Sequence, residues 1–129
     1  MHDDVLAAND AFYAAFRARD AGAMAKIWSR EHEVACTHPG WTPMHGRAVI
    51  LESWSRILSN PQSPRVQCVD AVAHVGGLMA WITCREIIEG AMAAATNIFV
   101  REGDAWRMVH HHASPMPGTP SADDLEEWN

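Results

Sequence analysis

The chain is poor in basic side chains and has no long apolar run. Its 129 residues hold 10 lysines and arginines against 16 aspartates and glutamates, which gives a formal net charge of −6. Nucleic acids and anionic membrane surfaces attract proteins through basic patches, so this balance predicts neither of them as a partner. No apolar run approaches the roughly 20 residues that a membrane-spanning helix needs. Asp3 and Asp4 also interrupt the charged-then-apolar start typical of a signal peptide, and we expect a cytoplasmic protein.

Cysteine is scarce as well, and the common catalytic and metal-binding motifs are absent. The three cysteines, Cys36, Cys68 and Cys84, include no CxxC pair, which indicates buried free thiols in a reducing compartment. The sequence contains neither the HExxH motif of zinc proteases nor the GxSxG motif of serine hydrolases. His110 and His112 alternate along a predicted strand and share a face, but no third ligand accompanies them. We therefore predict no metal and no cofactor.

The chain does contain a change from helical to extended periodicity after Pro64. Apolar residues recur at helical spacing before it, and alternating stretches with short glycine-bearing breaks follow it. The predicted helices are Asp3–Arg19, Ala23–Trp28 and Arg47–Ser59, and the predicted strands are 33–38, Val66–Val75, Leu78–Ile88, Ala93–Arg101 and Trp106–Ala113. This order predicts one α+β domain over residues 1–117, with the helices on one face of an antiparallel sheet. Residues 118–129 are expected to form a flexible acidic tail, with a last docking turn through Leu125 and Trp128 as an alternative.

Three stretches of the sequence resemble a known superfamily. They are His38-Pro39-Gly40-Trp41, His45-Gly46-Arg47 and residues 106–114. Together with the element order they resemble the SnoaL-like branch of the nuclear transport factor 2-like superfamily. The second half also resembles the association domain of calcium/calmodulin-dependent protein kinase II. The resemblance implies a cone-shaped α+β fold, with N-terminal helices packed in a curved antiparallel sheet around a pocket.

The same resemblance implies a set of pocket residues. The kinase association domain carries three pocket arginines; this chain keeps only Arg85, with Asn97 and Ala113 at the other two positions. Because side chains alternate along a strand, Arg85 shares a face with Trp81 and Met79, and we expect that face to line the pocket. Val109 and His111 are expected to join it from the last strand. The implied ligand-binding residues are Tyr13, Trp28, Trp41, Trp54, Arg85, Asn97 and His111.

Several of these residues have an ordinary structural interpretation beside the functional one. Arg85 suits a carboxylate or enolate oxygen, but it is equally well explained by an ion pair with Asp70, Glu86 or Glu52. His38 is a candidate general acid or base, or a histidine bonded to loop backbone. Asp70 is a candidate catalytic carboxylate, although a solvated strand aspartate is the better interpretation.

Three functions are compatible with these observations. The first, which we favour, is a pocket that binds a small, partly apolar compound. An inward Arg85 would allow that compound to be anionic. The second is a cofactor-independent isomerase, dehydratase or hydrolase, with His38 or Asp70 as base and Arg85 as oxyanion stabiliser. The third is an oligomerisation module without a working pocket. In each case the strand stretches that are apolar on both faces predict a homodimer formed through the sheet.

Overall fold

The computed structural model describes residues 2–126. Trp128, which the sequence suggested for a docking turn, lies outside the described residues, and so does the side chain of Glu126. The elements in chain order are α1 (His2–Ala18), α2 (Ala21–Ile27), β1 (Ala35–Thr37), β2 (Met44–His45), α3 (Arg47–Ser59), β3 (Val66–Gly76), β4 (Met79–Ile88), β5 (Ala91–Glu102), β6 (Ala105–Met116) and α4 (Ala122–Glu126).

The helices form where the sequence periodicity places them. In α1 the buried positions Val5, Asn9, Phe12 and Tyr13 recur at three- and four-residue spacing, so one stripe of the helix faces the sheet. Asp20 caps α2, because its Oδ1 accepts a hydrogen bond of 3.0 Å from the backbone N–H of Ala23. The stripe puts the apolar side of α1 against the core, and the cap defines where α2 begins.

The six strands form a single sheet in the order β2-β1-β6-β5-β4-β3. Strand β1 runs parallel to β6, and the other neighbouring pairs are antiparallel. The β4–β5 hairpin turns at Glu89 and Gly90, whose φ angles are +33° and +90°. Two positive φ angles in a two-residue connection are typical of a type I′ turn, which matches the twist of the flanking strands.

The strand register divides the sheet into two faces. Ile82, Asn97, His111 and Cys36 are paired in a row across β4, β5, β6 and β1, and this row belongs to the inner face, toward the helices. A neighbouring row on the outer face joins His74, Trp81, Ile98, His110, Ala35 and His45. Residues of the inner row are buried or nearly so, whereas Trp81 in the outer row is 41% exposed.

Two irregularities change which residues share a face. Between β5 and β6 the register shifts next to Ile98, so that both Met108 and His111 face inward and Val109 between them does not. The expectation that Val109 joins His111 in the pocket is therefore wrong. Between β3 and β4 a second shift lies at Asp70, whose φ is +56°.

The predicted α+β class is confirmed, with helices followed by a six-stranded sheet. The predicted third helix has the observed bounds, whereas β1 is shorter than predicted and the two-residue strand β2 is not among the predicted strands. Part of the predicted tail forms the short helix α4. Within residues 2–126, no helix combines the length and apolarity needed to cross a membrane.

Candidate functional site

A cavity of about 410 Å³ opens between α3, the loop after β1 and the ends of β3 and β4. Its inner end contains three buried polar side chains, His38, Glu86 and His111, and its mouth contains the exposed side chains of Trp41 and Arg56. A volume of this size lies in the range of about 300–1,000 Å³ that is usual for small-molecule sites. The apolar wall between the two ends consists of Phe16, Ile57, Val66 and Ile88.

Glu86 is the only carboxylate among the described residues that line this cavity, and it is almost completely buried, at 2% exposure. Its Oε2 accepts a hydrogen bond of 2.7 Å from the hydroxyl of Tyr13. Burial disfavours the ionised form and raises the pKa of Glu86 to about 7, although the bond from Tyr13 acts in the opposite direction. Glu86 is thus able to hold or release a proton near neutral pH.

A buried amide, Asn97, fixes the orientation of the neighbouring groups. Its Nδ2 donates to Asn9 Oδ1 at 2.8 Å and to the Tyr13 oxygen at 3.2 Å, so its Oδ1 faces His111. That oxygen can only accept, and the 2.6 Å contact therefore requires a proton on His111 Nδ1. In the neutral ring, Nε2 is left with a lone pair.

The lone pair of His111 lies beside the Glu86 carboxyl group. The distance from His111 Nε2 to Glu86 Oε2 is 3.9 Å, which is too long for a direct hydrogen bond. The pKa of His111 lies well below its ordinary value. Burial is the largest cause, and the charges of nearby histidines, His38, His110 and His112, act in the same direction. His111 is therefore a neutral acceptor, with room beside it for a ligand atom.

His38 faces the same cavity from the end of β1. Ser53 Oγ uses its hydrogen to bond the carbonyl of Ile50 at 2.7 Å, so His38 Nε2 must donate to Ser53 Oγ across 3.1 Å. The alternative of a bond to loop backbone is not the one observed. Burial lowers the pKa of His38 to about 4, which makes it a neutral, fixed part of the wall at physiological pH.

Arg85 does not face the cavity. It lies two residues after Thr83 on β4 and shares the outer face with it. Its guanidinium binds Asp70 Oδ2 at 2.6 Å and Asp124 Oδ1 at 2.8 Å. The expectation that Arg85 and Trp81 line the pocket is wrong, because the more apolar alternate residues of β4 take the inner face. Asp70 is exposed at the β3 irregularity and also lies outside the cavity.

The remaining predicted residues are distributed in three ways. Trp41 lines the mouth, and Tyr13 and Asn97 support the inner end from behind. Trp54 packs edge-on against the His38 ring, with centroids 4.6 Å apart, and is buried behind it. Trp28 is buried beside Met108 and does not line the cavity.

Sequence reasoning missed Glu86 as a site residue and considered it only as a partner of Arg85. The alternation along β4 contained one signal that favours an inward Glu86, although it does not settle which set faces inward. The residues Ala80, Ile82 and Cys84 are uniformly apolar, whereas their alternates are mixed, and a uniformly apolar set is typical of a core face. Placing that set inward brings Glu86 into the core and marks it as a buried acid.

The described residues contain one group with the ligand atoms for a metal ion, and none of its members lines this cavity. Glu31, His32 and Glu102 bring three such atoms within 4.8 Å of one another. Glu31 and His32 are exposed, and Glu102 already accepts hydrogen bonds from Ser29 and His32. We assign no metal to it.

Comparisons with known proteins place this geometry in a family. Residues 5–118 match the SnoaL-like domain, and the chain belongs to that family. It is 31% identical to a candidate dehydratase of the nuclear transport factor 2-like family from Streptomyces avermitilis, with a TM-score of 0.83 over 91% of this chain and 96% of that one. It is 37% identical to a candidate calcium/calmodulin-dependent protein kinase type II association domain from Thiobacillus denitrificans, with a TM-score of 0.76 over 86% and 94%.

A curated relative is longer than this chain. The F-box protein SKIP8 of Arabidopsis thaliana is 28% identical over 114 residues, which are 87% of this chain and 49% of that protein. The chain thus spans about half the length of the curated relative that it matches.

Proposed function

We propose that this SnoaL-like domain is a cofactor-independent enzyme that moves a proton within a small, largely apolar substrate. The observation that supports this proposal best is the pair formed by Glu86 and His111 at the inner end of the cavity, with 3.9 Å between Nε2 and Oε2. General acid–base catalysis is most efficient when the catalytic pKa lies near the operating pH, and the pKa of Glu86 is about 7.

In the proposed reaction, the Glu86 carboxylate takes a proton from a substrate carbon and becomes a carboxylic acid. It then returns that proton either to another carbon of the same substrate, which is an isomerisation, or to a hydroxyl group that leaves as water, which is a dehydration. His111 Nε2 accepts a hydrogen bond from the substrate, and Tyr13 and Asn97 hold the two groups in place. No electrons are exchanged, so the reaction needs no redox cofactor.

The comparisons favour dehydration between these two reactions. The similar Streptomyces avermitilis protein is a candidate dehydratase, at 31% identity over nearly its whole length. The roles considered from the sequence for Asp70 and Arg85 are not part of the proposal, because both lie on the outer face.

A binding protein without turnover is the second candidate, and the pKa of about 4 at His38 favours it, because that ring has little basicity at neutral pH. The two candidates are separated by native mass spectrometry of the wild-type protein and of Glu86→Gln purified from the same cells. An enzyme is expected to leave its unreacted substrate on the variant. The compound released from the variant is then incubated with wild-type protein.

Conversion of that compound by the wild type, and not by the variant, supports the enzyme. A compound that stays unchanged supports the binding protein. If neither protein carries a small molecule, a fragment screen by nuclear magnetic resonance with both proteins replaces the natural compound. A failure of every fragment to shift the resonances of His38 and His111 would overturn both candidates.

We also propose a homodimer formed through the outer sheet face, in the cytoplasm. The dimer is supported by the exposed side chains of Val72, Met79 and Trp81 on that face and by the similarity to a kinase association domain. The location is supported by the three cysteines, all of which are free thiols.

A further inference from the structure

We infer that the inner end of the cavity binds an uncharged hydroxyl group carried on an apolar body, and that it rejects a carboxylate. This inference rests on the proposed function, because it names the ligand class of the same site. It reverses the expectation of an anionic ligand, which depended on an inward Arg85.

The first argument is the distribution of positive charge. Among the described residues that line the cavity, Arg56 is the only arginine or lysine. It lies at the mouth, its side chain is 74% exposed, and it already pairs with Glu52 at 2.7 Å. At the inner end His38 and His111 are both neutral, so no positive charge is present there to offset a buried carboxylate.

The second argument is the kind of hydrogen bond that the inner end can make. The proton on His111 Nδ1 is held by Asn97, which leaves Nε2 as an acceptor that needs a donor. A ligand hydroxyl supplies that donor, whereas an ether, a ketone or a carboxylate does not. The buried lone pair therefore selects for an O–H group, because an unpaired buried acceptor is costly.

The third argument is the space between the two groups. An oxygen about 2.8 Å from both His111 Nε2 and Glu86 Oε2 fits across their 3.9 Å separation. In that position the hydroxyl donates to His111, and its oxygen accepts a hydrogen bond from the protonated carboxyl group of Glu86. The apolar side chains of Phe16, Ile57 and Ile88 then surround the rest of the molecule.

The test compares three two-ring probes of nearly the same shape: 2-naphthol, 2-methylnaphthalene and 2-naphthoate. Dissociation constants are measured by calorimetry at pH 6 and pH 8. We expect 2-naphthol to bind about tenfold more tightly than 2-methylnaphthalene, as one added hydrogen bond allows. We expect 2-naphthoate to bind most weakly, and more weakly still at pH 8, where Glu86 is ionised.

The matched variants are His111→Phe and His112→Phe, adjacent residues on opposite faces of β6. The first is expected to abolish the preference for 2-naphthol over 2-methylnaphthalene, and the second to keep it. As a measurement independent of the variants, the His111 Nε2 resonance of the wild type is expected to shift with 2-naphthol and not with 2-methylnaphthalene.

Tighter binding of 2-naphthoate than of 2-naphthol would overturn the inference and leave the proposed function in place. An unchanged preference in His111→Phe would overturn the inference as well and would remove His111 from the proposed reaction, while proton transfer by Glu86 would still stand. If none of the three probes binds even at millimolar concentration, the cavity is not a site for apolar molecules, and the inference and the proposed function fail together.

Discussion

The inner and outer faces of the sheet are built from alternate residues of the same strands, yet they treat polar groups in opposite ways. On the inner face Glu86, Asn97 and His111 are at most 2% exposed, and hydrogen bonds fix the orientation of each. On the outer face Arg85 binds Asp70 and Asp124 in contact with solvent, beside an exposed Trp81. Polar groups on the two faces therefore differ in chemistry, because burial shifts the proton affinity of Glu86 and His111 whereas water screens the charges of the outer ion pairs.

The largest effect is expected from Glu86→Gln. The pKa of Glu86 is about 7 in the folded protein against an ordinary 4.5, so the folded state holds a proton that the unfolded chain releases between these values. Stability therefore falls as the pH rises through this window, by about 3 kcal/mol, since a tenfold change in proton affinity is ~1.4 kcal/mol. The neutral glutamine does not suffer this loss. The stability of the variant relative to wild type is expected to rise by that amount from pH 4.5 to pH 8.

Urea titrations over this pH series measure the difference in the free energy of unfolding. His38 has the opposite dependence, because its lowered pKa makes stability fall below about pH 6.5, but it is present in both proteins and cancels in the difference. Glu31→Gln, at an exposed carboxylate, is the control. A pH dependence of Glu86→Gln no larger than that of Glu31→Gln would mean that Glu86 titrates like a surface carboxylate.

The second prediction concerns the amide that orients the inner face. Asn97→Leu removes the partners of Asn9, Tyr13 and His111 and is expected to lower the free energy of unfolding by about 3 kcal/mol. It should also release the His111 tautomer, which is visible in the nitrogen chemical shifts of the ring. The neighbouring outer-face change Thr96→Val should stay within about 0.5 kcal/mol. Equal effects of both changes would remove the distinction between the faces.

The third prediction tests the outer face as a dimer interface. Trp81→Glu is expected to raise the dissociation constant of the proposed dimer at least about a hundredfold, because a charge replaces a large apolar side chain at the centre of the face. Light scattering at micromolar concentration should then show a monomer. Trp41→Glu is the matched control, since Trp41 is exposed to a similar degree, 45% against 41%, but lies at the cavity mouth. A wild-type monomer would contradict the proposal.

The smallest effect is expected from Arg85→Ala. Because the guanidinium and its two carboxylates lie on the outer face, binding of 2-naphthol should change by less than about twofold, and the melting temperature should fall only slightly. Calorimetry and thermal unfolding measure the two effects. If the variant remains folded but no longer binds 2-naphthol, Arg85 belongs to the ligand site and the prediction is wrong.

Much of the fold was predictable because it depends on local patterns. The bounds of α3 agree with the prediction, and the four long strands lie where alternation and glycine breaks placed them. Trp41, His38 and His111 were expected at the pocket, and they line the cavity. The fold predictions needed only the spacing of residues and the chemistry of turns, whereas the pocket residues were implied by the resemblance to the superfamily.

Local patterns could not settle which of the two alternating sets of β4 side chains faces the inside of the sheet. Both alternate sets of that strand contain apolar residues, and the resemblance to an arginine-bearing strand pointed to the set with Arg85. The observed register pairs Ile82 with Asn97, so Glu86 faces inward and Arg85 outward. Since neighbouring side chains alternate, one wrong choice moved every β4 residue to the opposite face.

By itself, then, the amino-acid sequence determined the α+β class and the positions of the longer helices and strands, since local periodicity and turn residues control these. The resemblance of three of its stretches indicated the family. Only the tertiary structure decided that Glu86 is a buried acid and Arg85 an outer-face ion pair. The register shifts in β3 and between β5 and β6, together with the packing of α1 and α3, set which side chains lose contact with water. Proton affinity follows from that burial, which depends on residues distant in the chain.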